Sequence, residues 1–336
     1  LYPFYNCFSK VGEVTRRKKG LRSMSRRQTK FFSPKLVIVF FSLLLVCAGI
    51  TFVFYHLAGK YFSPADSVSQ LYEHWNKNEV AETYEAAGHI LDKTPFQNTA
   101  LTLRGYSAFK LAVSEPDNNA LTQSYLDEAI NNLRVALQSV KAQAVPQIYY
   151  VLGLTYFYKN KLSSYYYYAD LTTKYLEAAL AAGYKSKDIP ELLGLSYADL
   201  GNTDKSIASF TQALSVHESD ILLYNIAKQY YRNNQGGVAK QYLVRAIQLS
   251  QDDDIVLNSH NILGRIYIDE ENYDAAQQEF DMILEKNANF ADAYYGLGIL
   301  YEHKGDTAKA RAEWRKCLKI QVNHAGAVKK LAEVKG

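Results

Sequence analysis

The string Leu-Gly-x-x-Tyr occurs at Leu152-Gly153-Tyr156, Leu193-Gly194-Tyr197, Leu263-Gly264-Tyr267 and Leu297-Gly298-Tyr301, where ordinary residue frequencies give roughly 0.1–0.2 occurrences in a chain of this length. Nothing else constrains the fold as strongly, because a fixed internal period means one structural unit stacked on copies of itself. The last two copies lie 34 residues apart, and each is followed by Ala-x-x-x-aromatic: Ala276 with Phe280, then Ala310 with Trp314. Small residues such as Gly298 and Ala310 let two antiparallel helices approach closely, while Tyr301 and Trp314 fill the gap between one hairpin and the next. KGDTAKA and LGNTDKS place Gly with Asp or Asn between apolar-periodic segments, a helix stop followed by a helix start. No segment after residue 60 sustains period-two alternation, so the expected fold class is all-α.

Weaker copies extend the period backwards. Residues 220–256 supply Ile226, Ala227, Tyr230, Ala239, Leu243 and Ala246, and residues 187–219 supply Leu193, Gly194, Tyr197, Ser206, Phe210 and Ala213. Residues 146–186 supply Tyr149, Leu152, Gly153 and Tyr156, then Leu171, Tyr175 and Ala178 after an insertion of about six. Gly105, Ala129, Leu133 and Ala136 mark a copy within 98–145, and the run ending Ile90 to Pro95 marks one within 66–97. The unit resembles the tetratricopeptide repeat (TPR), whose pattern is Trp-x2-Leu-Gly-x2-Tyr followed by Ala-x3-Phe. The matching residues in the last repeats are Leu263, Gly264, Tyr267, Ala276 and Phe280 in 257–290, and Leu297, Gly298, Tyr301, Ala310 and Trp314 in 291–324. The resemblance implies a right-handed solenoid of about seven helix hairpins (66–97, 98–145, 146–186, 187–219, 220–256, 257–290 and 291–324), closed by a capping helix at 325–336.

Ahead of the array, charge is distributed unevenly. Residues 1–35 carry ten Lys and Arg against Glu13, a balance of +9, so with +4 for the whole chain the remainder sums to −5. LVIVFFSLLLVCAGITFVFY, residues 36–55, holds no charge, and twenty helical residues span a hydrocarbon core of about 30 Å. Tyr55, His56, Lys60 and Tyr61 supply interfacial anchors. These features predict one transmembrane helix at 36–58 and a linker at 59–65. A cleaved signal peptide has a shorter apolar region with a small-x-small site, and Val46 before Cys47 disfavours lipidation. Positive charge stays cytoplasmic, so the expected topology is a single-pass protein of the bacterial inner membrane, with a cytoplasmic N-terminus and a periplasmic repeat domain. The basic leader from Met24 onward suffices for that topology, and residues 1–23 are expected not to be native.

Apolar residues at 48% and charged residues at 21% exclude disorder over most of the chain. The sequence offers no chemistry: no Walker loop, dinucleotide fingerprint or nucleophile elbow, and no histidine pair at i, i+4 among His56, His74, His89, His217, His260, His303 and His324. Asp252, Asp253 and Asp254 lack the alternating ligands of a calcium loop and suit a helix start. No catalytic, cofactor-binding or metal residue is assigned, and the protein is expected not to be an enzyme.

Tyrosine is in excess, 28 residues. The TPR resemblance implies that the first helix of each repeat lines a concave groove. Carried over, its inward positions are Tyr106 and Phe109; Tyr150, Phe157 and Tyr158; Tyr224, Lys228, Tyr231 and Arg232; Arg265; and Tyr295. An aromatic groove with a few cations suits an extended peptide or a partner helix. Tyr165 to Tyr168, inside the insertion, is a second candidate contact. Thr102, Tyr106, Tyr150, Leu154, Glu191 and Leu195 stand where chaperone-binding members hold Lys and Asn, so a chaperone-tail clamp is not expected. The implied function is a membrane-anchored TPR scaffold for protein–protein interactions. It would serve assembly of a multi-subunit cell-envelope complex (secretion, pilus or flagellar-motor accessory, or a translocon-associated chaperone), with the lipid bilayer as its other partner and no nucleic acid. The competing expectation is an organelle-surface preprotein or chaperone receptor with a cytosolic repeat domain.

Overall fold

The computed structural model describes residue 51 and residues 67–115, 118–163 and 167–333. The basic tail, the expected span at 36–58 apart from Thr51, the linker, and Tyr165 and Tyr166 of the tyrosine run lie outside them. Among the described residues no helix is long and apolar enough to cross a membrane.

Fifteen α-helices and no strand occur among the described residues, as an all-helical repeat solenoid. They pair in chain order: α1 (Val68–Asn76) with α2 (Val80–Lys93), α3 (Asn98–Ser114) with α4 (Asn119–Ala136), and α5 (Val145–Leu162) with α6 (Ala169–Ala181). Next come α7 (Ile189–Asp199) with α8 (Thr203–Leu214), α9 (Asp220–Arg232) with α10 (Gly236–Leu249), α11 (Asp253–Asp269) with α12 (Tyr273–Lys286), and α13 (Ala291–His303) with α14 (Thr307–Ile320). A last helix, α15 (Ala325–Glu333), packs on α14, and contacts run chiefly within a hairpin and to the next one.

The small–large pairing read from the sequence has a definite geometry. A Cβ on Gly298 would stand 2.2 Å from the Trp314 ring, one on Gly194 2.5 Å from Phe210, and one on Gly153 or Gly105 2.6 Å from Leu176 or Leu133. Each second helix buries three residues at i, i+4 and i+7, from Ala129, Leu133 and Ala136 in α4 to Ala310, Trp314 and Cys317 in α14. This register corrects one repeat. In α6 the buried set is Thr172, Leu176 and Ala179, one residue beyond Leu171, Tyr175 and Ala178, so the insertion is seven residues. Tyr175 instead lies on the helix flank, its ring stacked on Tyr156 at 5.5 Å.

The first hairpin inverts the pattern. Leu71 stands at the glycine position of α1 and Ala87 at the large position of α2, both fully buried; one bulky side chain per hairpin fills the interface whichever helix carries it. Five of the turns within hairpins share a form. Gly201 and Gly305 take positive φ, and their places are held by Asn78, Asn234 and Glu271 at φ 57–59° elsewhere. In three of them the next residue caps the second helix: Asn202, Asn272 and Asp306 accept from the backbone N–H of Lys205, Ala275 and Lys309. Asp252 likewise caps α11, accepting from Asp254 N–H at 2.8 Å. Burial pushes the Cys317 thiol up to about 11, which leaves it unreactive.

Candidate functional site

The sequence-predicted inward residues divide into two groups. Tyr106, Phe109 and Tyr150 are core residues, 6–7% exposed. Trp75 lies 6.0 Å from Tyr106, Tyr158 meets Phe109 edge-on at 5.8 Å, and Tyr184 stacks on Tyr150 at 4.5 Å. Tyr150 also donates its hydroxyl to Asp188 Oδ2 at 2.6 Å. Over α3 and α5 the aromatic face is thus filled by the chain itself, which corrects the expectation that these three residues line an open groove. Phe157 and Tyr158 remain half-buried. In the tyrosine run, Tyr167 is 83% exposed, whereas Tyr168 starts α6 and stacks on Tyr156.

Over α9, α11 and α13 the inward side chains are half-buried rather than core, although the Tyr295 ring of α13 is met by Arg265, His324 and Gly326. Tyr224, Lys228 and Tyr231 follow one stripe of α9 and are half-buried, and Arg232 at its end is exposed. Arg265 of α11 lies over the Tyr295 ring at 5.6 Å and meets Asp292 Oδ1 at 3.5 Å. His324 donates from Nε2 to the same oxygen at 3.1 Å, because its Nδ1 accepts the Ala327 N–H, also at 3.1 Å, as the cap of α15. Tyr295 packs on His324 at 4.8 Å. One turn before Arg265, Asn261 is 6% exposed, and its Oδ1 has no hydrogen-bond partner among the described residues; Arg265 Nε is likewise unpaired. An orphan acceptor and an orphan donor thus share one face of α11, each costly to leave unmade.

Charge on this face is unevenly compensated. Burial first, then the Asp269 carboxylate, push the Tyr231 phenol up to about 12, and burial with Asp292 raises Tyr224 against the pull of Arg232 and Arg265. Both phenols stay protonated and able to donate at neutral pH. Lys228 is held below the ordinary lysine value by burial, then by Arg232, with Asp199 opposing and Lys161 adding to the shift. Asp199 itself accepts from Asn160 Nδ2 at 2.9 Å. A depressed lysine pKa means that the native state disfavours the ammonium. The penalty is full below the folded pKa and fades as pH rises through it toward the unfolded value of 10.5. Lys228→Met is therefore expected to raise Tm at neutral pH by on the order of 1 °C, with the gain shrinking toward pH 10.5; calorimetry across that range is the check.

Stepping the repeat from Tyr224 leads to Asn261 and Tyr295, and from Arg232 to Asp269, so Asn261 and Asp269 carried a periodic signal that a search for aromatics and cations passed over. Asp292 and His324 sit at helix starts and carried none. Among the described residues no group of three or more His, Cys, Asp or Glu could hold a metal ion.

Residues 263–316 match a family model described as tetratricopeptide repeat, and residues 191–220 match a second model of the same description. Among solved structures the chain is similar to the C-terminal part of a TPR repeat-containing protein from Cytophaga hutchinsonii, at 16% identity and a TM-score of 0.52 over 78% of this chain and 98% of that one. It is also similar to a tetratricopeptide repeat protein from Parabacteroides merdae, at 20% identity and a TM-score of 0.52 over 66% and 82% of the two chains. At these identities the likeness is one of fold. A comparison with curated proteins gives no match.

Proposed function

We propose that this chain, a tetratricopeptide-repeat solenoid supported by two family-model matches and by its fold, is a non-enzymatic scaffold that binds another polypeptide across the inward face of α9, α11 and α13. The observation that carries the reading is the stripe of half-buried tyrosines and cations on that face, Tyr224, Lys228 and Tyr231 of α9 with Arg265 of α11, where the earlier repeats bury Tyr106 and Tyr150. Tyrosines give large contact area at small entropic cost.

The scaffold is held at a bacterial inner membrane through residues 36–58, with the basic tail cytoplasmic and the solenoid periplasmic, where it serves assembly of an envelope complex. This part rests on the uncharged run and on the +9 balance before it. Tethering raises the effective concentration of the groove near membrane partners, so individually weak contacts suffice.

A photoreactive residue at Tyr224 or Tyr295 is expected to capture a defined membrane-associated complex in cells. The same residue at Tyr150, which faces its own chain, is expected to capture none. Equal capture at all three positions would remove the groove as the working face. Protease added to intact spheroplasts is expected to digest residues 66–336; protection of that segment would reverse the topology in favour of a cytosolic receptor.

A further inference from the structure

The α9 stripe holds an uncompensated charge that scaffold binding in general does not require. Among the described residues neither Lys228 nor Arg232 has a carboxylate within 4.0 Å. The two lie one turn apart, an i, i+4 pair of like charge that destabilises a free helix. Lys161, at the end of α5, is a third cation near enough to act on Lys228; its ammonium stands over the Phe157 ring at 5.3 Å. Among the described residues Asp199 is the acid that acts on Lys228, and Asp269 of α11 is taken up by the Tyr231 hydroxyl. By contrast Arg265 is matched by Asp292 and covered by Tyr295.

We infer that Tyr224, Lys228, Tyr231 and Arg232 recognise an acidic side chain of an extended polypeptide partner running across α7, α9 and α11. This rests on the scaffold reading and names the chemistry of the partner. A carboxylate placed between Lys228 and Arg232 converts a repulsive pair into a bridged one, and the Tyr224 hydroxyl donates to it, while the Tyr231 hydroxyl is held by Asp269 and its ring packs alongside. The face continues past the stripe on both sides, to Asp199 of α7 and to Arg265 of α11, so a chain passes through and an internal carboxylate serves as well as a terminal one. The chain's own basic tail has the wrong sign, +9 over residues 1–35. A nucleic-acid backbone carries a charge at every phosphate and would face Asp199, Asp269 and Asp292 along the same path, whereas a polypeptide can space its acids to avoid them.

The test uses the full chain in a non-ionic detergent and fluorescein-labelled sixteen-residue peptides in which every fourth residue is Glu, Gln or Lys and the rest are Ala and Leu. The Glu peptide is made with both free and amidated C-termini, and a labelled oligo-dT is included. Anisotropy is expected to show the Glu peptide binding about tenfold or more tighter than the Gln and Lys peptides, a difference that weakens as salt rises, with amidation changing nothing. Lys228→Gln with Arg232→Gln should abolish that preference while Gln-peptide binding and the circular dichroism spectrum stay as in the parent. Equal binding of Glu and Gln peptides, or a Glu preference that survives the double substitution, overturns the acid recognition but leaves the groove in place. Loss of Glu-peptide binding on amidation moves recognition to a chain terminus, and oligo-dT binding above the peptides moves it to nucleic acid; either overturns the proposal. Binding of no peptide also overturns it, and Tyr224 and Tyr295 crosslinking then decides the groove reading separately.

Discussion

Phe280→Ala is expected to cost about 3–5 kcal/mol and to split one unfolding transition into two. Phe280 is fully buried and serves two hairpins at once: a Cβ on Gly264 of its own hairpin would stand 2.7 Å from the ring, and one on Gly296 of the next would stand 2.4 Å from it. In an array whose members touch mainly their neighbours, stability is a sum of hairpin terms and interface terms. Truncating Phe280 removes both kinds at one point. The two tryptophans report from opposite ends, Trp75 in the first hairpin and Trp314 in the last. Urea titrations of single-tryptophan variants should give coincident midpoints in the parent and separated ones in Phe280→Ala, with Trp314 released first. Coincident midpoints in the variant would show that the array is coupled by something other than this side chain.

Gly298→Val should be the next most damaging single change. A Cβ there meets Trp314 Nε1 at 2.2 Å and Cδ1 at 2.3 Å, and Trp314 is fully enclosed by the last hairpin and the capping helix. It has no free volume to retreat into, so the ring must leave its rotamer or the helices must part, at about 1–3 kcal/mol or more. Trp314 emission should shift to the red as the indole gains water. Gly237→Ala provides the contrast, since nothing lies within 4 Å of a Cβ at that helical position; it should be neutral or stabilising by about 0.5–1 kcal/mol. A Gly298→Val protein with parental emission and midpoint would mean that the hairpin spacing is not set by the glycine–tryptophan contact.

The repeat was readable because its determinants are local. Leu-Gly-x-x-Tyr and the Ala-x-x-x-aromatic that follows lie within one hairpin, and a 3.6-residue period places them on one face. It became harder to read where the pattern was met by different residues. The search for an aromatic in the third repeat lands on Tyr175, because sequence alone does not distinguish a tyrosine that fills the hairpin interface from one that stacks on the flank with Tyr156, while Leu176 does the filling. The first hairpin hides its register by exchanging large for small at Leu71 and Ala87. The groove was legible only as a list of inward positions. Whether an inward tyrosine is open depends on what other repeats bring to it: Trp75 and Tyr184 close Tyr106 and Tyr150, and among the described residues no comparable ring is brought over Tyr224. Charge compensation is equally non-local. Asp292 and His324 neutralise and frame Arg265 from two later elements, whereas among the described residues no carboxylate comes within 4.0 Å of Lys228.

The exchange of Leu71 for glycine has a consequence for how such a gene can lengthen or shorten. Deleting or duplicating one complete unit anywhere from α7 to α14 keeps every small residue opposite a large one, so unequal crossing-over there yields chains that can still pack. A crossover inside the first hairpin does not. Joining α1 to a second helix that carries Leu or Phe sets two bulky side chains against each other, and joining α2 to a first helix that carries glycine leaves a void. The N-terminal hairpin is therefore inherited whole, and length variants of this array should differ behind it.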